Sequence, residues 1–555
     1  MFSDPVKGKD FFGRKPILNL LTKRIDDLKG GYRKNIGLIG QKLLGKTSLL
    51  QQLLMISKDP QILPIYIELK TESFAHFVHR FIGTSLYSFL KSTKNEVRGK
   101  DLSYLIKTAA KSLPKTIRAT KKIEASLREN RPDQTYFLLL DLTSILEEET
   151  GKKIIVILDE FHRLNDFRLI KPFASFGKKI MIQKNIMYIL ASSSVNLAKN
   201  ILREKLSLLF GNFEIIELKP FDFENSKEFL EQRLKEIEMS DVCKNFLIFL
   251  SGGYPFYLDV ISSSLRKASF EEKSDNNPTE LISRVLESEI FNSRGILYQY
   301  LSSLINRLVE KRGFATTYIS ILLALARGNH KLSEIARVMQ KKPADISKQI
   351  TKLIEADIVK RYGVFYNLND PLLSFWLKFV YERRQTSFDP EIFSKSEAFK
   401  KDVKEMIQGF INESQRDLSE RIKELFMLFK NELIEVKQYK CKFPLFSEVG
   451  SKKISDGNLP IVARQGNKYW IGQIENKQVE ENKVIEFIQR CKKTKCKIQR
   501  KILITLGEME INARLLAKQE KIWVWDSNDL NLLFRLYGKS PLIGNGNYQN
   551  EQSRN

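Results

Sequence analysis

The sequence predicts an α/β protein: a parallel sheet that carries a glycine-rich phosphate loop, a helical lid, a winged helix-turn-helix and a small C-terminal α/β domain. Three observations lead to this fold class. A Gly-x-x-x-x-Gly-Lys-Thr loop at 40–47 separates an apolar run from a helical pattern, and a β-branched run at 154–158 ends in two acids. Residues 316–369 combine three short helical patterns with a hairpin pattern.

The loop at 40–47 has the composition that a triphosphate requires. Its glycines keep bulky Cβ atoms away from the N–H donors, the lysine places a charge on the β and γ phosphates, and the threonine hydroxyl can ligate Mg²⁺. The positive end of the following helix points at the same anion. A glycine turn before an ordinary helix is the alternative. The residues expected to contact ATP are Gly40, Gln41, Gly45, Lys46, Thr47 and Ser48.

Asp159 and Glu160 follow the β-branched run at 154–158. Such an unbroken run is typical of a central strand with helices on both faces. Beside a phosphate loop, Asp159 would hold Mg²⁺ through its water shell, and Glu160 would orient and deprotonate the attacking water. Two acids after a strand also suit a helix N-cap, which is the alternative.

A further strand pattern at 186–190 runs into three serines at 192–194. A hydroxyl at this edge would read the γ-phosphate or the attacking water, or it would only cap the next helix. The pattern does not distinguish the serines, and we take Ser193 as the catalytic candidate.

The composition favours a soluble, cytoplasmic protein with a polyanionic partner. The net charge of +26 indicates nucleic acid first and an anionic membrane surface second, whereas a solvated lysine-rich surface is the alternative. Four cysteines without a CxxC pair support neither a zinc site nor a disulfide framework. The first residues lack the apolar core of a signal peptide, and no run of about 18 apolar residues occurs. We therefore expect no membrane-spanning segment, and nucleic acid rather than a membrane as the partner.

Residues 91–130 contain eleven Lys or Arg against four Asp or Glu in a helical pattern that Pro114 interrupts. This is either a basic arm for phosphates or a solvated helical insertion. The domains that we expect are an ATPase core at 1–220, a helical lid at 221–300, a winged helix-turn-helix at 301–385, a helical connector at 386–440, an α/β domain at 441–540 and a disordered tail at 541–555.

The order of five motifs resembles the archaeal-type ATPases, P-loop proteins related to AAA+ and STAND NTPases. The motifs are Phe12-Gly13-Arg14, the loop at 40–47, Leu158-Asp159-Glu160-Phe161, the serines at 192–194 and Gly253-Tyr254-Pro255. The resemblance implies that Arg14 and Pro255 contact the nucleotide. It also exposes a departure, because Asn212 stands where relatives commonly carry a charge-stabilising arginine. We expect slow hydrolysis, or an arginine from elsewhere, including a partner subunit.

Residues 316–369 read as a winged helix-turn-helix. Helical patterns at 319–325, 333–339 and 344–356 precede a hairpin pattern at 359–368. Such domains also serve as protein–protein spacers, but the overall charge favours contact with nucleic acid, and we expect DNA rather than RNA. The DNA-contacting residues that we predict are Lys341, Lys342, Ser347, Lys348, Gln349 and Lys352.

The C-terminal pattern resembles restriction-endonuclease-like domains through Glu475-Asn476-Lys477 at the end of a strand. A metal nuclease needs another carboxylate on the preceding strand, and this chain reads Leu459-Pro460-Ile461 there. We interpret Glu475 and Lys477 as a degenerate nuclease site, with Asp456 or Glu448 as conceivable substitutes. The basic residues at 490–501 would hold a nucleic-acid backbone or form one solvated helix end.

These patterns lead to one main hypothesis and two rivals. The main hypothesis is an ATP-dependent switch, with Mg²⁺ as cofactor, that binds DNA through the winged helix and basic surfaces. A nucleotide-gated, metal-dependent DNA nuclease and a signalling or scaffolding NTPase that binds only protein are the rivals.

Overall fold

The computed structural model divides the chain into two compact units, residues 1–220 with 355–357 and residues 221–354 with 358–555. The residues that the structure describes are 4–93, 97, 101–206, 213–271, 277–310, 315–386, 392–436, 439–454, 457–494 and 496–542. Asn212 and Asp456 therefore lie outside the described residues.

The first unit is a parallel sheet covered by helices. Its strands are β1 (Ile36–Ile39), β2 (Ile62–Glu68), β3 (Lys153–Asp159), β4 (Ile186–Ser192) and β5 (Glu214–Glu217). Its helices are α1 (Lys15–Lys29), α2 (Lys46–Ile56), α3 (Phe74–Thr93), α4 (Leu102–Ala109), α5 (Pro114–Arg128), α6 (Pro132–Thr150), α7 (Pro172–Ile182) and α8 (Val195–Asn200). The strand order is β2-β3-β4-β1-β5, and every pair is parallel.

This order explains the apolar runs in the sequence. β1 and β4 are buried at every position, and β3 at every position after Lys153, as expected for strands with helices on both faces. The carboxyl ends of all five strands lie at one edge of the sheet, because they are parallel. The predicted P-loop fold is confirmed.

The basic region at 91–130 packs onto this unit rather than standing apart from it. Pro114 begins α5, where its missing N–H group costs no hydrogen bond. Ile117 and Ile123 on α5 are buried, whereas Lys121 and Lys122 are exposed. The described part of the region is therefore a set of amphipathic helices with a solvated basic face.

The second unit begins with helices in the range where we expect a lid, and the winged helix-turn-helix follows them. Its first helices are α9 (Phe223–Arg233), α10 (Asp241–Ser251), α11 (Pro255–Glu271), α12 (Pro278–Leu286) and α13 (Ile296–Glu310). The winged helix comprises α14 (Ala315–Ala326), α15 (Leu332–Met339), α16 (Pro343–Glu355) and the antiparallel strands β6 (Val359–Tyr362) and β7 (Phe365–Leu368). The winged-helix prediction is confirmed.

The remainder of this unit is a helical stretch and a five-stranded mixed sheet. The helices are α17 (Pro371–Trp376), α18 (Glu382–Thr386), α19 (Ile392–Ser414), α20 (Leu418–Met427), α21 (Glu481–Lys493), α22 (Ile511–Gln519) and α23 (Ser527–Leu536). The strands are β8 (Glu432–Val436), β9 (Tyr439–Phe443), β10 (Glu448–Ile454), β11 (Gly457–Gln465), β12 (Lys468–Glu475), β13 (Ile498–Thr505) and β14 (Ile522–Trp525). β10 to β14 form the sheet in sequence order, antiparallel up to β12 and parallel after it, while β8 and β9 form a separate hairpin.

Two predictions need correction here. The connector expected to be helical over 386–440 ends in β8, since Ile434 packs into an aromatic core and the strand pairs with β9. The tail expected from residue 541 starts too early, because Leu542 is buried in the same core. The rest of that tail lies outside the described residues. Among the helices of the described ranges, none is both long enough and apolar enough to cross a bilayer.

Candidate nucleotide site and nucleic-acid interface

The phosphate loop connects β1 to α2 at the carboxyl edge of the first sheet. Gly40 lies so close to the neighbouring chain that a Cβ atom there would be 2.6 Å from the carbonyl oxygen of Leu218. Gly45 has a φ of +84°, a left-handed conformation that a side chain disfavours, and it immediately precedes α2. Both glycines are therefore required by the backbone path of the loop.

Lys46 is buried, and its amine is held by the loop itself. Its Nζ donates to the carbonyl oxygens of Gly40 and Gln41, at 2.7 Å each. Burial lowers the pKa of Lys46, while Glu160 and Asp159 act in the opposite direction. The loop therefore holds the Lys46 amine near the carboxylates of Asp159 and Glu160.

Thr47 and Asp159, the two residues expected at a metal ion, are in direct contact. The Thr47 hydroxyl donates to Oδ2 of Asp159 at 2.8 Å. Burial, and then the Glu160 charge, raise the pKa of Asp159. A hydroxyl and a buried carboxylate that meet at the first turn of α2 form a donor pair suited to Mg²⁺.

Tyr66 completes this contact, and sequence reasoning missed it. Its hydroxyl donates to the same Oδ2 of Asp159 at 3.0 Å. Tyr66 lies on β2, which pairs with β3 so that Glu68 is opposite Asp159. The sequence signal was a tyrosine near the carboxyl end of an otherwise apolar strand. The sequence does not give the strand order, which places that tyrosine beside Asp159.

Glu160 is held by the end of β4. Its Oε2 accepts hydrogen bonds from the Ser193 amide at 2.9 Å and the Ser193 hydroxyl at 2.8 Å. His162 was also missed: its Nδ1 lies 3.4 Å from Oε2 of Glu160 and 2.9 Å from the Ser192 hydroxyl. Burial lowers the pKa of His162. Ser193 thus contacts the expected general base.

The remaining candidates are placed differently. The Arg14 guanidinium donates to the carbonyl of Leu44 in the loop at 3.4 Å, which brings it to the site. The Ser48 hydroxyl accepts from the Val6 amide at 3.1 Å, so it is engaged by the N-terminal segment. The Gln41 side chain donates at 3.1 Å to the carbonyl of Asp357 in the same unit. Pro255 belongs to the second unit, at the start of α11, and its nucleotide contact stays a prediction.

The third helix of the winged domain, α16, presents its polar face to solvent. Ile346, Ile350 and Leu353 are buried on the opposite face. Of the predicted DNA-contacting residues, four are exposed and two half-buried. The exposed residues are Lys341, Lys342, Lys348 and Lys352, and the half-buried ones are Ser347 and Gln349. Lys348 and Lys352 lie one helical turn apart and so project from the same side.

The C-terminal region does not assemble a nuclease-like acid cluster in the part that is described. Glu475 ends β12, where its carboxylate accepts from the Gln473 side chain at 3.3 Å. Pro460 lies on the adjacent strand β11. No group of three or more His, Cys, Asp or Glu residues that could hold a metal occurs among the described residues. The assignment of Glu475 and Lys477 as a degenerate nuclease site stays a prediction.

Comparisons with known proteins agree with the first two modules. Residues 11–260 match the family model described as an ATPase domain predominantly from Archaea. Residues 317–361 match the model for bacterial regulatory proteins of the arsR family. An uncharacterized protein of Methanocaldococcus jannaschii is 23% identical over 347 residues, which cover 59% of this chain and 69% of the relative.

Solved structures give weaker similarities. The Walker-type ATPase PABY2304 of Pyrococcus abyssi is 20% identical with a TM-score of 0.46, covering 68% of this chain and 99% of that one. The Aeropyrum pernix ORC2 protein, solved as ADPNP–ADP complexes, is 13% identical with a TM-score of 0.40, covering 70% and 98%. The Aeropyrum pernix ORC1 protein in complex with DNA is 16% identical with a TM-score of 0.35, covering 67% and 93%.

Proposed function

We propose that this chain, with an archaeal-type ATPase domain at 11–260 and an arsR-like helix-turn-helix at 317–361, is an ATP-dependent DNA-binding switch. The observation that carries the ATPase half is the contact of Thr47 with Asp159, next to Lys46 at the carboxyl edge of the sheet. An ordinary glycine turn would not bring a hydroxyl, a buried carboxylate and a buried amine to one point.

ATP and Mg²⁺ would supply the polyphosphate and the Lewis acid for hydrolysis. Lys46 would exchange its carbonyl partners for phosphate oxygens, and Thr47 with Asp159 would hold the metal ion. Glu160 would orient and deprotonate water, while the Ser193 amide and hydroxyl hold its Oε2 in place. Slow turnover is the expectation because Asn212 stands where relatives commonly carry a charge-stabilising arginine.

The DNA half rests on the exposed cations of α16 and on the net charge of +26. A helix that projects Lys348 and Lys352 from one side fits the major groove of a duplex, which admits an α-helix. The deep and narrow major groove of RNA helices does not admit side chains in this way, which favours DNA over RNA. Self-association, through which a second copy would supply an arginine, belongs to the same proposal.

Contacts within the second unit support the switch. The Tyr257 hydroxyl of α11 donates to the Asp370 carboxylate, which caps the helix after the wing. A Cβ atom at Gly252 would lie 2.8 Å from the ring of Pro371. The helices that carry the Gly-Gly-Tyr-Pro motif therefore pack on the start of α17, which directly follows β7 of the winged helix. A nucleotide that moved these helices would pull on the end of the DNA-binding domain.

A Lys46→Ala variant tests the ATPase half. We expect MgATP hydrolysis to fall by about 100-fold or more, since a charged donor to the transition state is removed. Lys23→Ala, which removes an exposed lysine of α1, is the matched control and should hydrolyse ATP normally. Undiminished hydrolysis by Lys46→Ala would remove the proposed site.

The switch is tested by duplex affinity in the presence of ADP and of a non-hydrolysable ATP analogue. Coupling of about 1–3 kcal/mol predicts a difference of about 5- to 150-fold between the two states. Equal affinities, with nucleotide binding verified by calorimetry, would leave an ATPase without a switch.

A further inference from the structure

The turn of the wing is occupied by another part of the chain. The Val364 amide, at the turn between β6 and β7, donates to the carbonyl oxygen of Leu433 on β8 at 3.0 Å. Gly363 has a φ of +71°, and a Cβ atom there would collide with the same carbonyl. The turn of the wing therefore meets β8 through a backbone hydrogen bond, and the contact leaves no room for a side chain at Gly363.

Buried polar and aromatic contacts fix this junction. Glu432 of β8 is 7% exposed, and it pairs with Lys331 at 2.8 Å and accepts from the Tyr537 hydroxyl at 3.1 Å. The Phe365 ring of β7 packs against the Tyr537 ring, with centroids 5.2 Å apart, inside the aromatic core of the C-terminal region. A buried ion pair with two aromatic partners is costly to separate. These contacts hold the two hairpins side by side.

Among the described residues of both hairpins, the exposed charges are mostly basic: the one exposed acid is Glu435 of β8, which lies opposite Lys440. Lys360 and Arg361 on β6 are exposed. On β9, Lys440 and Lys442 are exposed while the alternate residue Phe443 is buried. Lys442 pairs with Leu433, which contacts Val364, so its backbone lies about two strand spacings, about 10 Å, from the wing turn.

We propose that the β8–β9 hairpin is a second wing, which binds the phosphate backbone of duplex DNA through Lys440 and Lys442 beside the winged helix. The inference rests on the proposed DNA binding and deepens it. This inference gives the C-terminal region a role that needs no DNA cleavage. Its β8 strand contacts the turn of the first wing, and its β9 strand places lysines beside that wing. Lysines on a hairpin outside the recognition helix would bind phosphates rather than base edges, because a point charge carries no base-specific hydrogen-bond pattern.

The test compares duplex binding by Lys440→Gln/Lys442→Gln with binding by Lys235→Gln/Lys267→Gln across a salt series, using a fluorescent 30-base-pair duplex and the full chain. The second pair is exposed in the same unit and removes the same charge. Each lysine that contacts a phosphate contributes about 1 to the slope of log K against log salt. We expect the first variant to lose about 2 from that slope, and the control to keep it.

The outcomes separate this inference from the proposed function. If the unaltered chain does not bind the duplex, DNA binding fails and the second wing falls with it. If the unaltered chain binds and Lys348→Gln weakens binding, but Lys440→Gln/Lys442→Gln leaves the slope unchanged, the winged helix binds DNA and the second wing is refuted. Equal losses in both double variants would also refute it, since a diffuse charge effect would then be sufficient.

Discussion

Removal of the Tyr66 hydroxyl should impair the metal-dependent chemistry of the site while preserving the fold. Oδ2 of Asp159 accepts from Thr47 and Tyr66. Once the Thr47 hydroxyl turns to a metal ion, Tyr66 is the donor that continues to hold this oxygen. Tyr66→Phe keeps the ring and deletes that donor.

The size of the effect follows from the hydrogen bond. A hydrogen bond to a charged acceptor contributes about 1.5–3 kcal/mol, and Asp159 is buried, so solvent does not replace it. Burial already raises the pKa of Asp159, and the Tyr66 hydrogen bond lowers it. Loss of that hydrogen bond should therefore raise the pKa of Asp159 further. Because the ionised carboxylate is the form that would hold Mg²⁺ in the proposed site, the acidic limb of the activity profile should move to higher pH.

The assay is steady-state MgATP hydrolysis as a function of pH and of Mg²⁺ concentration. Tyr66→Phe should need more Mg²⁺ for half-maximal rate and should lose activity first on the acidic side. Tyr188→Phe is the matched control, because it deletes a buried tyrosine hydroxyl that donates to Gln183 at 2.7 Å away from the acids. An acidic limb and a Mg²⁺ midpoint that coincide with those of the unaltered chain would refute the positioning role of Tyr66.

Three further predictions concern the second unit. Burial raises the pKa of Asp370 from 3.8 to about 6, so the folded protein takes up this proton more readily than the unfolded chain. The contribution of Asp370 to stability therefore falls as pH rises from about 4 to about 6. In urea unfolding measured over this pH range, Asp370→Asn should remove this pH dependence. Gly252→Ala should lower the free energy of unfolding in urea, because the φ of Gly252 is +60° and Pro371 leaves no room for a Cβ atom. Gly409→Ala, in open space on α19, should raise that free energy by about 0.5–1 kcal/mol. The reverse order would contradict the packing. Supercoiled plasmid with Mg²⁺ or Mn²⁺ should stay intact, and nicking that Glu475→Gln abolishes would establish the nuclease instead.

The elements that the sequence predicted well are those whose signal is local. The loop at 40–47 and the run at 154–158 combine composition with spacing, and the structure has β1, α2 and β3 there. The three helices and hairpin of the winged domain were also found within a few residues of their bounds. Each of these segments buries one face or both, so periodicity reports it directly.

The elements that were missed depend on distant partners. β9 has the sequence Tyr-Lys-Cys-Lys-Phe, and its two lysines make it look like part of a charged connector. Its other face packs into an aromatic core that includes residues up to about 100 positions away in the sequence. Ser48 fits a phosphate-loop pattern, yet its hydroxyl meets Val6, which periodicity cannot foresee. Tyr66 and His162 acquire roles only once strand order places them beside the acid pair.

The closed tip of the wing sets a limit on how this chain can be divided. A fragment that stops after α18 would keep a complete helix-turn-helix sequence, yet it would turn Phe365 out of its aromatic surroundings and leave Lys331 without its buried carboxylate. Such a piece should aggregate or unfold at lower temperature, whereas a fragment that continues through Leu542 keeps both contacts. The winged helix and the C-terminal region therefore depend on each other for stability, and an expression boundary belongs beyond Leu542 rather than between the two.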